Sequence, residues 1–313
     1  MKFALVLCLA VIADEILGDP GNFPHPVKLI GKSITFWHKI FFRDNSSFAR
    51  GLAVVIITLI TASFFSGTLL YISGCNIFVE IYLLYSALAW RDLKDETAPV
   101  FFCLINNDLK GARKYLSFVV GRDTDNLNGT EITRAVIETI AENSVDGVIS
   151  VIFFAVLGHA FNPEYGACIS VWLFKAASTL DSMLGYGSYG SYGKAAAKLD
   201  DVLNFMPARI GGVMIILSGA LTGGNLREGL RVFMNDRLKH KSPNSAHGES
   251  AFAGVLGVRL GGGAFYGGEF VSRPFLNEGA NEPVIADIVR TWRVLDAACG
   301  LAMLSAVVIS VII

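Results

Sequence analysis

No charged residue stands between Arg50 and Glu80, and that run limits what the chain can fold into. Its centre, Leu52 to Ile72, is rich in Val, Ile, Leu and Phe and as a helix is long enough to cross about 30 Å of hydrocarbon. Hydrophobic residues make up 53% and charged residues 17%, against about 25% charged in a typical globular domain, and the mean hydropathy is +0.52. That much apolar surface excludes disorder, and neither a collagen nor a coiled-coil period is present. With 26 basic and 27 acidic residues the net charge is −1, so no polycationic surface for nucleic acid is expected. Cys8, Cys75, Cys103, Cys168 and Cys299 are scattered, mostly in apolar runs and without a CxxC. They read as reduced, buried small hydrophobes in a chain that faces the cytosol. The expected class is all-α: a polytopic integral membrane protein, one domain over residues 1–313, with polar loops and amphipathic or re-entrant helices forming a cytoplasmic-side site.

Spans are expected near 1–17, 51–72, 75–90, 147–174, 210–226 and 295–313. The first is read as a retained helix, because Asp-Glu-Ile-Leu-Gly-Asp-Pro is a poor signal-peptide cleavage site. The fourth is interrupted at Asn162-Pro163-Glu164, which allows one span plus a re-entrant piece or a tight hairpin of two. Loops 18–50, 91–146 and 227–294 carry five, seven and nine Lys/Arg, and the positive-inside tendency puts all three in the cytoplasm. That needs two spans between the first two loops, which favours the short 75–90 segment, and a re-entrant piece after Pro163 fits the third.

Polar residues gather in four blocks beside these spans, expected to meet at one cytoplasmic cleft because dense polar groups at a lipid boundary need mutual partners. The first is Asp14-Glu15 through Gly18-Asp19-Pro20 to Pro24-His25-Pro26-Val27. The second holds Arg122-Asp123 and a helix from about Thr130 on which Glu138, Glu142 and Asp146 recur every four residues, with Asn143 beside them. Like charges at that spacing repel. A solvated face with Arg134 pairing Glu138 would explain the stripe; so would a Mg²⁺ or substrate site, since spare carboxylates at a span are costly. The third block holds Lys175, Asp181, Lys198, Asp200, Asp201, Asn204 and Arg209, the mixture a Mg–nucleotide site requires: carboxylates for the metal, cations for phosphate. Its Gly185 to Gly190 stretch reads as a turn or a lid. The fourth runs from Asp236-Arg237 through His240, Ser242-Pro243-Asn244 and His247-Gly-Glu249 to Leu256-Gly-Val-Arg259-Leu-Gly261-Gly262-Gly263. That glycine run fits neither the Walker pattern nor GxGxxG, and close helix packing selects glycine equally well.

The order Gly18-Asp19-Pro20…Pro24-His25-Pro26-Val27, Gly121-Arg122-Asp123-Thr124, Glu138-Thr-Ile-Ala-Glu142-Asn143-Ser-Val-Asp146-Gly147, Thr179-Leu-Asp181-Ser182-Met183, Asp200-Asp201-Val202-Leu-Asn204, Pro207-Ala208-Arg209 and Ser242-Pro243-Asn244 resembles the cobalamin-biosynthesis CobD/CbiB family over essentially the whole chain. Ser178, Val151 and Phe174 stand where the family usually has Asn, Pro and Tyr. The resemblance implies an ATP-dependent ligase of the cell inner membrane, joining adenosylcobyric acid to (R)-1-aminopropan-2-ol phosphate to give adenosylcobinamide phosphate. ATP and Mg²⁺ are implied as cofactors; membrane lipid and other late corrinoid-assembly enzymes are implied as partners. On that reading Glu138, Glu142, Asp146 and Asp181 are catalytic, and Glu142, Asp181, Asp200 and Asp201 hold Mg²⁺. His25, Arg122, Asp123, Asn143, Lys175, Lys198, Asn204, Arg209, His240 and Asn244 bind substrates. The alternative is a non-enzymatic membrane protein, a transporter or a sensory relative; a transporter would place its ionisable residues inside spans, whereas most here flank them.

Overall fold

The computed structural model describes residues 1–20, 25–43, 47–185 and 189–312. In chain order the helices are α1 (Lys2–Leu17), α2 (Pro26–Phe41), α3 (Phe48–Ser73), α4 (Ile77–Tyr85), α5 (Trp90–Ile105), α6 (Leu109–Leu116) and α7 (Gly129–Ser144). A π-turn (Val145–Ile149) leads into α8 (Ser150–Phe161), followed by α9 (Gly166–Leu180), a second π-turn (Asp181–Gly185), α10 (Lys194–Leu203), α11 (Phe205–Thr222), α12 (Leu226–Asp236) and α13 (Ser245–Leu256). Four short strands, β1 (Leu260–Gly261), β2 (Ala264–Tyr266), β3 (Glu269–Val271) and β4 (Phe275–Leu276), precede α14 (Ala286–Ile312). The protein is an all-α membrane protein with this small β insertion.

Four helices are long and apolar enough to cross a bilayer: Phe48–Ser73, the continuous Gly129–Phe161, Phe205–Thr222 and Ala286–Ile312. These correspond to four expected spans. The other two expected spans fall on shorter helices. At 1.5 Å per residue, nine-residue α4 reaches only about 13 Å and sixteen-residue α1 about 24 Å, both short of the hydrocarbon thickness.

The chain divides into two compact units. One comprises Met1–Ala89, Ser150–Asn204 and Met303–Ile313. Here the break at Pro163 makes a tight helical hairpin of α8 and α9, not one interrupted span. Asn162 Oδ1 accepts the amides of Glu164 (3.1 Å) and Tyr165 (3.0 Å), closing the turn. Gly158 and Gly166 bring the two backbones together: a Cβ on either would strike the other's carbonyl. Ser170 Oγ donates across to the Phe154 carbonyl at 2.6 Å, and Phe154 stacks on Phe174. Because the obstacle is backbone, Gly158→Ala must pry the helices apart. It should cost about 1–3 kcal/mol by overpacking, seen as a lowered melting temperature of the detergent-solubilised protein. An unchanged melt would mean the hairpin is looser than this.

The second unit comprises Trp90–Ile149 and Phe205–Ala302. Its centre is α13, whose residues Ala246 to Leu256 are all buried. Gly248 lets α13 lie against α7, since a Cβ there would sit 2.6 Å from the Ala141 carbonyl. Asn128 opens α7 with a capping box: its side chain accepts the Glu131 amide at 3.0 Å while Glu131 accepts the Asn128 amide at 2.7 Å. Trp90 and Lys94 of α5 both donate to Asp296 of α14 at 2.8 Å, and Trp292 donates to Thr97.

The glycine run lies in the β insertion and not in a helix. Gly261, Gly262 and Gly263 take φ of 83°, 90° and 96°, a left-handed path closed to other residues, with the Phe275 ring lying over Gly262. β1 pairs antiparallel with β4. β2 and β3 form a hairpin across Gly267-Gly268, both at positive φ as a type I′ turn requires.

Candidate functional site

In the second unit, α7 presents Glu138 toward the β insertion. Glu138, 5% exposed, accepts from Arg122 at 2.7 Å and from the Gly261 amide at 2.7 Å. Arg134, which sequence spacing offered as its partner, instead reaches Glu282 at 3.7 Å. Burial of one partner alone would be expensive; the pair and the backbone N–H offset it. Asp123 accepts the amides of Gly267 (3.1 Å) and Gly268 (2.7 Å), and its own amide donates to Phe265. It therefore ties the hairpin turn to the Arg122 loop, a positioning task.

One turn beyond Glu138, Glu142 keeps solvent-accessible surface but sits among crowded groups: desolvation acts on it most, with Arg273 and Arg122 favouring its charge and Glu138 opposing it. Asn143 is also exposed and donates to the Thr139 carbonyl at 2.8 Å. The four-residue spacing of the stripe then enters the π-turn, whose wider winding takes Asp146 off the α-helical register. From the other side α13 contributes Glu249, 2% exposed. Burial pushes its carboxyl well above the usual range, with Glu138 and Glu142 adding and Arg273 and Arg122 opposing. His240 Nδ1 lies 3.6 Å from Glu249 and 3.2 Å from Ser245 Oγ. Burial, with Arg273 adding, pushes the His240 ring down to about 4, so it is neutral at pH 7. Its Nε2 is buried without a partner. Arg273 donates to Tyr266 Oη at 3.0 Å. Three carboxylates, two guanidiniums and a neutral imidazole thus share one neighbourhood.

Sequence reasoning named Arg122, Glu138, Glu142 and His240 but assigned no role to Glu249 or Arg273. A charge inside the small-residue helix Ser245–Leu256 was a legible signal for Glu249. Arg273 lies between β3 and β4 and had no local signal.

The third block mostly falls in the first unit. Asp181 starts the second π-turn after α9, which carries Lys175, and its carboxylate folds over Gly185, where a Cβ would strike Oδ1. Asn204, 1% exposed, accepts from Ser150 Oγ at 2.8 Å and donates to Asp200 at 3.0 Å, so it joins α8 to α10. Lys198 is exposed and Asp201 half-buried. His25 pairs with Asp19 at 3.1 Å. Pro24 and the Tyr186–Ser188 core of the expected lid or turn lie outside the described residues. Arg209, grouped by sequence with Lys175 and Lys198, belongs to the second unit and donates to Asn244 Oδ1 at 3.3 Å. Among the described residues no three His, Cys, Asp or Glu side chains are placed to hold a metal ion together.

The model of the CobD/Cbib protein family matches residues 7–295. The chain belongs to the CobD/CbiB family. It is 37% identical over 317 residues to the cobalamin biosynthesis protein CobD of Clostridium perfringens, covering 98% of each chain. It is 40% identical over 282 residues to that of Clostridium tetani, covering 87% of this chain and 86% of the relative. The cobalamin biosynthesis protein CbiB of Salmonella typhimurium is 37% identical over 310 residues, 96% of this chain and 95% of its own. No solved structure matches.

Proposed function

We propose that the protein is the ATP-dependent amide ligase of cobalamin biosynthesis that joins adenosylcobyric acid to (R)-1-aminopropan-2-ol phosphate on the cytoplasmic side of the membrane. The reading rests on family membership, and the observation that carries it is the Glu138–Glu142–Glu249 cluster with Arg122, Arg273 and His240. A carboxylate is a poor electrophile, so its oxygen first attacks the γ-phosphorus of ATP, giving an acyl phosphate and ADP. The amine nitrogen then attacks that carbonyl carbon, the C–O bond to phosphate breaks, and amide, inorganic phosphate and a proton result. Before attack the ammonium must give up a proton. Exposed Glu142 is the carboxylate of the cluster open to receive it. Arg122 and Arg273 supply fixed positive charge where oxygens gain negative charge, and neutral His240 offers its unpartnered Nε2 to a substrate.

Mg²⁺ in ATP enzymes is held by one or two carboxylates plus substrate phosphates, and oxygen donors suit it. Glu142 in one unit, or Asp181, Asp200 and Asp201 in the other, fit that limited demand. When bound, it neutralises phosphate charge.

The direct test incubates membranes carrying the protein with adenosylcobyric acid, Mg-ATP and each amine donor, aminopropanol phosphate or ethanolamine phosphate, and reads the corrinoids by mass. No amide product with either donor would overturn the proposal. We assign Arg122, His25 and His240 to the amino-alcohol phosphate or the corrinoid amides, and Lys175 and Lys198 to ATP. Arg presents a planar fork where Lys is a point charge. Arg122→Lys should therefore raise the KM for the amine donor more than that for ATP, with kcat little changed. Weakened ATP with the donor spared would reverse the assignment.

A further inference from the structure

On the opposite face of α13 from Glu249 lies a group of polar side chains that the carboxylate cluster does not use. His247 is fully buried, and its ring nitrogens make no well-formed hydrogen bond, the Asn244 backbone being the nearest polar group that acts on them. Two guanidiniums face it: Arg209 from the start of α11 and Arg237 from the end of α12, each close enough to act on its ring, which burial first and these charges next push down to about 4. Arg237 Nε is buried and unpartnered as well. Phe233 holds the group together, packing edge-on to His247 at 5.5 Å and lying 5.6 Å below the Arg237 guanidinium. Among the described residues neither arginine has a carboxylate partner. The nearby Asp236 is taken by Lys239 and the Asn277 amide, each at 2.7 Å. Asn244, the N-cap residue of α13, makes no side-chain cap to that helix and receives Arg209. The positive end of a twelve-residue helix therefore lies beside two unneutralised guanidiniums.

Two like charges beside a buried neutral imidazole and a helix N-terminus form an arrangement that gains from an arriving anion and from little else. We propose that Arg209, Arg237, His247 and the first turn of α13 form a binding site for the phosphate group of a phosphate-bearing substrate, separate from the carboxylate cluster. The site stands on the second unit alone. It deepens the ligase reading by adding Arg237 and His247 to the residues that hold phosphate, and its test does not depend on turnover. A phosphate dianion can accept from Arg237, from an imidazole N–H and from the N–H groups of Arg209 that Asn244 and the Phe205 carbonyl do not use.

The experiment titrates purified full-length protein in detergent at low ionic strength with inorganic phosphate, Mg-ATP and aminopropanol phosphate separately, by calorimetry. Arg237→Gln should weaken inorganic phosphate about tenfold or more, as loss of a charge-assisted hydrogen bond does. It should also weaken whichever of the two organic phosphates uses this site: loss for Mg-ATP assigns it to the nucleotide, loss for aminopropanol phosphate to the amine donor. Arg237→Lys should fall between, and His247→Gln, which keeps one donor at similar size, should weaken the same ligand less. Thermal melts identify any variant that fails to fold. Folded Arg237→Gln protein that binds all three probes as the wild type does would overturn the proposal. Loss of phosphate binding without ligation in the wild type would uphold this site and overturn the ligase.

Discussion

Glu142→Gln is expected to abolish ligation while leaving the protein folded and inserted. The side chain is exposed, so the amide keeps its shape and hydration and removes only the negative charge beside Arg273 and Arg122. If that carboxylate takes the ammonium proton, its loss removes a contribution of about 10²–10⁴ in rate, to be measured as corrinoid product per unit time. Glu138→Gln makes a useful contrast. There the carboxylate is buried and pairs with Arg122, so the change also leaves a half-buried guanidinium without its counter-ion. Removing one partner of such a pair costs about 3–5 kcal/mol, and the melting temperature should fall together with activity. Asp181→Asn and Asp201→Asn test the other unit in the same way. Full activity in all four variants would show that none of these carboxylates takes part in ligation.

The contrast also marks what could be read from the chain. Spans were legible where apolar length alone decides them, as for α3 and α14. At α4 hydropathy alone does not set the helix length: Gly74 at φ 61° and the turn after Tyr85 limit it to nine residues. Helical spacing correctly put Glu138 and Glu142 near one another, since i and i+4 share a face. The same logic misassigned Arg134, because its partner Glu282 comes from a distant loop. The hairpin over Ala264–Val271 did have a signature, Gly-Gly between two short runs rich in aromatics. Arg273 could not be found by any local rule. Its place depends on the pairing of β1 with β4 and on the hydrogen bond from Gly261 to Glu138, a contact that spans more than a hundred residues.

Glu249→Gln should raise thermal stability near neutral pH while it lowers ligation. Burial among Glu138 and Glu142 raises the folded-state pKa of Glu249 above its unfolded value near 4.5, so between those two values the folded state binds more protons than the unfolded one. Stability from this group is therefore complete below the ordinary carboxylate range and is lost as pH rises through the raised value. Gln cannot ionise and escapes that loss. His240 and His247 act in the opposite direction: pushed down to about 4, each stays neutral in the folded state while the unfolded state takes up protons below about 6.5. Their contribution is complete above that point and falls away toward pH 4. Melting temperatures from pH 4 to 9 should thus climb on the acid side for both proteins. On the alkaline side the wild type should decline while Glu249→Gln stays flat. Retention of such a liability makes sense if the site uses a carboxyl that holds its proton more tightly than an ordinary one. A variant with wild-type activity and an unchanged alkaline limb would show that Glu249 is neither strained nor used.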